Sequence, residues 1–384
     1  MVAAVRRGRS QHAVARQFGV SLATVQYWVH RAQGQRLDRV GWSDHSHAPR
    51  TPHRTDLAIE DLVLSVRREL AETSDLGACG AKAIRQALQG RSLQAIPSGR
   101  TIGRILERRG ALDGHKRVRR PPPPRGWYLP EVARRHVELD SFDIVEGLVI
   151  KEGPQVEVLT GVSLHGGLVG SWPMTAPVTA KAATEALIEH WHAHGLPGYA
   201  QFDNDTIFQG AHTHPDIIGR VMRLCLSLGV VPVFVPPREM GFQAMIENYN
   251  GQWQVKVWTR FMHGSLAELQ GCSGRYVAAV HRARADRSEA APPRRPFPKR
   301  WRLSLQAHPR GRIVYLRRTN ASGSVEMLGQ SFAVDAQWSN RLVRVEFDVD
   351  AGRMRFFALR RREPTVQPML KELVHHIPRR RFNE

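Results

Sequence analysis

Arg135-His136-Val137-Glu138-Leu139-Asp140-Ser141-Phe142-Asp143 is the stretch on which the fold turns. It opens a β-rich run from Val137 to Val149, and two more follow, Gln155 to Ser163 and Gly167 to Pro173. Gly-containing turns join them, which predicts a meander. Asp140 falls in the middle of the first run. A carboxylate there costs stability unless it meets a cation or a hydrogen-bond donor.

Downstream the pattern alternates. Thr179 to His194 reads as a helix, Tyr199 to Phe202 as a short strand, and Pro215 to Leu228 as a helix ended by Gly229. Val230 to Val235 is an apolar strand closed by Pro236-Pro237, and Phe242 to Phe261 reads as a long helix. Three β runs followed by helix, strand, helix, strand, helix make an α/β domain with a mixed five-stranded sheet.

Two further acids sit at telling places. Asp203 lies in Phe202-Asp203-Asn204-Asp205-Thr206-Ile207-Phe208, just past a short strand, where ligands to a shared site often collect. Glu247 lies in the last helix. Ile246, Tyr249, Trp253 and Val257 form an apolar stripe there, and Glu247, Asn250 and Gln254 share the neighbouring polar face. Glu239 competes with Glu247 but lies between Pro237 and Gly241, in a loop. Asp143 and Asp205 read as turn or support residues. The histidines of His190-Trp191-His192-Ala193-His194 and His212-Thr213-His214 lack a matching Cys pair, so a surface helix and a loop are expected rather than a zinc site.

Toward the N-terminus, Gly8 to Val29 carries Ser10 and Ser21 as helix caps and Gly19 as a left-handed turn between them. Val14, Phe18, Val20, Val25 and Trp28 are the expected small core. This is a helix-turn-helix layout, whose second helix would offer Ser21, Thr24, Gln26, Tyr27, His30 and Arg31 to a DNA major groove. A second unit around Ile84, Leu88, Ile102, Ile105 and Leu106 would face Arg100, Arg104 and Arg108 outward.

Arg119 to Gly126 holds four consecutive prolines, Pro121 to Pro124, and reads as an extended spacer. From Gly311 to Leu359, short runs alternate basic and apolar residues between Gly or Asp turns, which predicts a small β-barrel. The expected organisation is multidomain. All-α helix-turn-helix units occupy 1–40 and 55–118, and a Pro-rich linker 119–126. The α/β core spans 127–275, a basic linker 276–310, a small β-barrel 311–362 and a basic tail 363–384.

The formal net charge is +21, and of 56 basic residues 49 are Arg. A folded chain so charged repels itself unless a polyanion compensates, and nucleic acid is the natural one. Cys79, Cys225 and Cys272 are far apart, which fits a reducing cytoplasm. With no run of eighteen apolar residues, no membrane span is expected.

The chain resembles the DDE superfamily of insertion-sequence transposases and retroviral integrases. The resemblance spans nearly its whole length and rests on "ELDSFD", "FDNDTIF" and "PPREMGFQAMIENYN", in that order. It implies an RNase H-like core in which Asp140, Asp203 and Glu247 ligate catalytic Mg²⁺ or Mn²⁺, with Asp140 as the bridge between two ions. It implies cleavage at a mobile element's ends and transfer of the freed 3′-hydroxyl to target DNA, by a homo-oligomer that holds double-stranded element ends and target. Two departures stand out. Asp205 replaces the usual glycine, and 43 residues separate Asp203 from Glu247, a longer gap than usual, where Glu239 would leave 35. The rival reading is a catalytically inactive, transposase-derived DNA-binding protein or repressor, which explains the charge equally well.

Overall fold

The structure is a computed structural model describing residues 1–44, 55–91, 95–112, 125–211 and 214–383. Positions 119–124 of the proline-rich spacer, with His212 and Thr213, lie outside the described residues. The chain divides into two compact units, Met1–Glu60 and Asp61–Glu384.

In the first unit, α1 (Val2–Arg6), α2 (Gln11–Phe18) and α3 (Leu22–Arg31) follow each other closely. Ser10 and Ser21 cap α2 and α3 by accepting from the backbone N–H groups of Ala13 and Thr24, and Gly19 takes φ +62° between them. Val14, Ala15 and Val25 form one small core, and Val2, Ala32 and Val40 form another with Trp28 beside it. Phe18, expected inside, is 48% exposed. The apolar face is therefore split in two.

A helical group follows: α4 (Leu57–Thr73), α5 (Ala81–Gln89) and α6 (Gly99–Arg108). Val63, Val66, Ile84, Leu88, Ile102, Ile105 and Leu106 make its core. Ser98 caps α6 through the N–H of Thr101.

After the short α7 (Pro130–Ala133) comes the meander β1 (Leu139–Val149), β2 (Gln155–Ser163) and β3 (Val169–Thr175). Both pairings are antiparallel, and a bulge interrupts β1 between Val145 and Leu148. Gly161 stands opposite Phe142, where a Cβ would come within 2.8 Å of the ring. There follow α8 (Ala180–His194), β4 (Tyr199–Phe202), α9 (Thr206–Gln209), α10 (Arg220–Ser227), β5 (Val231–Phe234), α11 (Ala244–Trp253), α12 (Leu266–Ala283) and α13 (Ala285–Glu289). A π-helical turn, Gln254–Trp258, continues α11. Strands β4 and β5 join β1 in parallel. Helices α8 and α10 cover one face with Leu187, Trp191, Val221 and Leu224. Helices α11 and α12 cover the other with Ile246, Tyr249, Trp253 and Tyr276. This mixed sheet between helices fits the expected α/β RNase H-like core.

The C-terminal strands depart from expectation. β6 (Arg312–Arg318), β9 (Leu342–Asp348), β10 (Arg353–Ala358) and β11 (Met369–Val374) do not close a separate barrel; only β7 (Ser324–Met327) and β8 (Gln330–Ala333) stand apart, as a hairpin. β6 pairs with β5 in parallel, giving one nine-stranded sheet ordered β11-β10-β9-β6-β5-β4-β1-β2-β3. Tyr315 stacks on Phe234 at 5.4 Å, and Val345, Phe347 and Phe356 share a core with Phe142 and Phe202. Alternation along these strands was legible, but it fixes which residues point inward, not which strand is the neighbour. Nor is 276–310 a simple linker. Part of α12 and all of α13 lie there, and Arg295 makes a β-bridge with Leu196.

Candidate acidic active site

Strand alternation separates the acids of β1. Successive side chains of a strand point to opposite faces, so residues three apart cannot share one. Asp140 points toward α8 and Asp143 toward α11.

Asp140 is fully buried, and its cation is a guanidinium. Arg294 donates to both carboxylate oxygens at 2.9 and 2.5 Å. Ser163 Oγ donates at 2.7 Å and Trp191 Nε1 at 3.2 Å. Burial alone would raise this carboxyl, but Arg294 outweighs it and the net effect holds Asp140 below the usual carboxylate range. His190 lies 3.8 Å away. Burial, with Arg294 and neighbouring histidines, pushes its pKa down to about 3. The helix of histidines is thus not all surface: His190 is buried, and its ring lies 5.0 Å from that of His194.

Asp143 lies in different company. β1 and β4 pair Ser141 with Gln201; Asp143 lies two residues beyond the first, and Asp203, in the turn that leaves β4, two residues beyond the second. On the same face Asn250 Nδ2 donates to Asp143 at 2.7 Å, while Thr160 Oγ1 holds Asn250 at 2.7 Å. Asn250 is one turn past Glu247 on α11, so both sit on the side of the helix turned to Asp143. Burial pushes the Asp143 carboxyl up to about 6, and the two charges that raise it further are Asp203 and Glu247.

Asp203 is half-buried, accepts from the Asp205 N–H at 3.0 Å, and is raised by burial and by Asp205 and Glu146. Asp205 caps α9 through the N–H of Ile207. Asn204 Nδ2 donates to the Val235 carbonyl at 2.7 Å, tying the Asp203 turn to the end of β5. Glu247 is exposed in the first turn of α11. Glu239 is engaged elsewhere, by Arg318 and Arg361, each at 2.8 Å.

The structure therefore turns Asp143 to the α11 side of β1, where the charges of Asp203 and Glu247 reach it, and turns Asp140 to the opposite face, bound to Arg294. A carboxylate in β1 does need a cation, but Asp140 has Arg294. β1 holds an acid on each face, and only pairing with β4 tells which of them looks toward Asp203. The donors on the Asp143 face are carboxylate oxygens, the chemistry that suits a hard divalent cation. Among the described residues no three acidic, His or Cys groups already stand close enough to hold one.

On α3, Ser21, Gln26, Tyr27 and His30 are exposed and Thr24 and Arg31 half-buried, with Arg31 stacked over Trp28 at 5.0 Å. On α6, Arg100, Arg104 and Arg108 are exposed. Among the described residues no helix is long and apolar enough to cross a membrane.

No protein-family model matches the chain, and no curated protein matches it. Among solved structures, the catalytic core domain of BIV integrase is 17% identical, covering 38% of this chain and 82% of its own, with a TM-score of 0.27. The HTLV-2 integrase catalytic core domain in complex with magnesium is 14% identical, covering 37% and 83%, with a TM-score of 0.27. A simian T-cell lymphotropic virus intasome in complex with PP2A regulatory subunit B56 gamma is 13% identical, covering 73% and 91%, with a TM-score of 0.34. These neighbours are retroviral integrases.

Proposed function

We propose that the protein is a metal-dependent DNA strand transferase of the transposase and integrase type, and that its acids are Asp143, Asp203 and Glu247. One observation carries the reading: Asp143, on the face of β1 that α11 covers, lies beside the turn that leaves β4 with Asp203, and the charges that raise it are Asp203 and Glu247. Carboxylates gathered without a basic partner repel one another, and a divalent cation removes that cost.

Mg²⁺ or Mn²⁺ held there would neutralise phosphodiester charge and activate an oxygen nucleophile. The chain's own residues do the rest. Asn250 fixes the rotamer of Asp143, and Thr160 fixes Asn250. Asn204 holds the turn carrying Asp203 against β5. The Asp140–Arg294 pair locks the opposite face of β1, so the strand bearing Asp143 is rigid. The exposed polar face of α3, as a helix-turn-helix, and the arginines of α6 bind double-stranded element ends. Two ends and a target must be held at once, which requires a homo-oligomer.

Purified protein, a terminal-repeat duplex and Mg²⁺ in a strand-transfer assay test this. Expected are cleaved ends and joined products that disappear with Asp143→Asn. Tight, specific end binding without any cleavage would instead favour the inactive DNA-binding protein.

A further inference from the structure

Five arginines surround one open cleft beside the β5–α11 loop: Arg318, Arg341, Arg360, Arg361 and Arg362. All are exposed. Arg341 and Arg360 stack over Trp338, at 4.7 and 5.4 Å, which holds their guanidinium groups in place. Arg360 has Glu363 as a partner at 3.1 Å, whereas Arg341 and Arg362 have no carboxylate partner among the described residues. Two of the five converge on one internal anion. Arg318 donates to both oxygens of Glu239 at 2.8 to 3.0 Å, and Arg361 donates to it at 2.8 Å. Arg361 also donates to the Met240 carbonyl at 2.9 Å and lies 5.4 Å over the ring of Phe242. It thus grips the loop that leads into α11 at three points.

Forked guanidinium bonds to one anion suit phosphate oxygens as well as carboxylate oxygens. A cleft this open, with its charges spread along it, suits an extended polyanion better than a compact metabolite. We infer that the cleft takes the phosphate backbone of duplex DNA, and that Glu239 fills two of its guanidinium sites from within until DNA displaces it. The choice of DNA rests on the function proposed above. Release of Glu239 frees the loop before α11, and α11 carries Glu247, which is exposed and outside ligand spacing in this state.

The test is duplex binding by the full chain, followed by anisotropy of a labelled random-sequence duplex of about 30 bp across a salt series. Removing two phosphate contacts in the double variant R341A/R362A should flatten the slope of log K against log salt by about 2. R341K/R362K, which keeps the charge, should restore it. E239Q should bind about three- to tenfold tighter, since no internal anion competes, a gain of about 1 kcal/mol. Loop amides 238–243 should exchange faster with solvent when DNA is added to the wild type. An unchanged slope in R341A/R362A, a slope equally lost in the Lys variant, E239Q binding no tighter, or loop exchange unmoved by DNA would each overturn the inference and leave the strand-transferase reading intact. A wild-type chain that binds no duplex at all would overturn both.

Discussion

Asp143 on β1 lies two residues beyond Ser141, and Asp203, in the turn that leaves β4, lies two residues beyond Gln201, the partner of Ser141. Asp140, three residues before Asp143, is on the opposite face and bound to Arg294. On the function proposed above, the two acids of this strand have different jobs, and substitution separates them. Asp143→Asn should abolish strand transfer, losing roughly 4 kcal/mol of transition-state stabilisation or about a thousandfold in rate, with the fold kept. Asp140→Asn should lower the amount of folded protein while the folded fraction still reacts. Rate per folded molecule, with folded fraction read by circular dichroism, distinguishes them. If Asp140→Asn kills the rate in fully folded protein and Asp143→Asn does not, the acids are assigned the wrong way round.

Much of this was legible in the sequence. The strands around Asp140 and Asp203, the helix carrying Glu247, and the caps Ser10 and Ser21 all follow from local patterns, and the structure has them there. Which of Asp140 and Asp143 meets a guanidinium within the chain was not legible. Alternation says they differ in face, but the partner of Asp140, Arg294, is 154 residues away. The same limit hid the place of β6. Arg312 to Arg318 reads as a strand by itself, and nothing local says that Val314 pairs with Val233.

Asp143 makes the metal-free protein pH-sensitive. Its pKa rises from 3.8 to about 6 on folding. The unfolded chain ionises more readily, so this group's contribution is fully present below pH 3.8 and lost as pH rises through about 6. At neutral pH the loss is ~3 kcal/mol. Asp143→Asn should therefore raise the metal-free melting temperature at pH 7.5 and leave it nearly unchanged at pH 3.5. Mg²⁺ at a hundred times its dissociation constant should add about 2.7 kcal/mol to the wild type at pH 7.5 and nothing to Asp143→Asn. Thermal melts with and without Mg²⁺ at the two pH values check this. Equal Mg²⁺ stabilisation of both proteins would place the ion elsewhere.

The Asp140–Arg294 pair has the opposite pH sign. The Asp140 carboxyl is held below its ordinary value of 3.8. Its contribution is present above pH 3.8 and lost as pH falls through the folded-state value below that. Removing one partner of a buried pair costs about 3–5 kcal/mol, because the other charge is left uncompensated. Arg294→Ala should show that loss in urea at pH 7, and its acid unfolding should begin at a higher pH than in the wild type. Arg294→Lys should recover only part, since one ammonium cannot make the forked contact to both oxygens. A loss under about 1 kcal/mol for Arg294→Ala, far below the cost of a broken buried pair, would mean that the strap from Ala291 onward is held by the Leu196–Arg295 bridge instead.

The joined sheet predicts shared unfolding. A separate C-terminal barrel would melt by itself and leave the acidic strands folded. Here Tyr315 of β6 stacks on Phe234 of β5, and Phe347 and Phe356 lie in the same core as Phe202. Truncating a buried aromatic of this kind costs about 3–5 kcal/mol. Tyr315→Ala should therefore lower one common transition for the strands on both sides of β5, followed by hydrogen exchange at Phe202 and Val345 together. Ending the chain before β6 would bare the β5 edge and the apolar side chains above it, and such an edge pairs with other chains. That shortened protein should aggregate on expression. A soluble shortened chain with protected amides in β1 and β4 would show instead that the strands after residue 311 fold as a unit of their own.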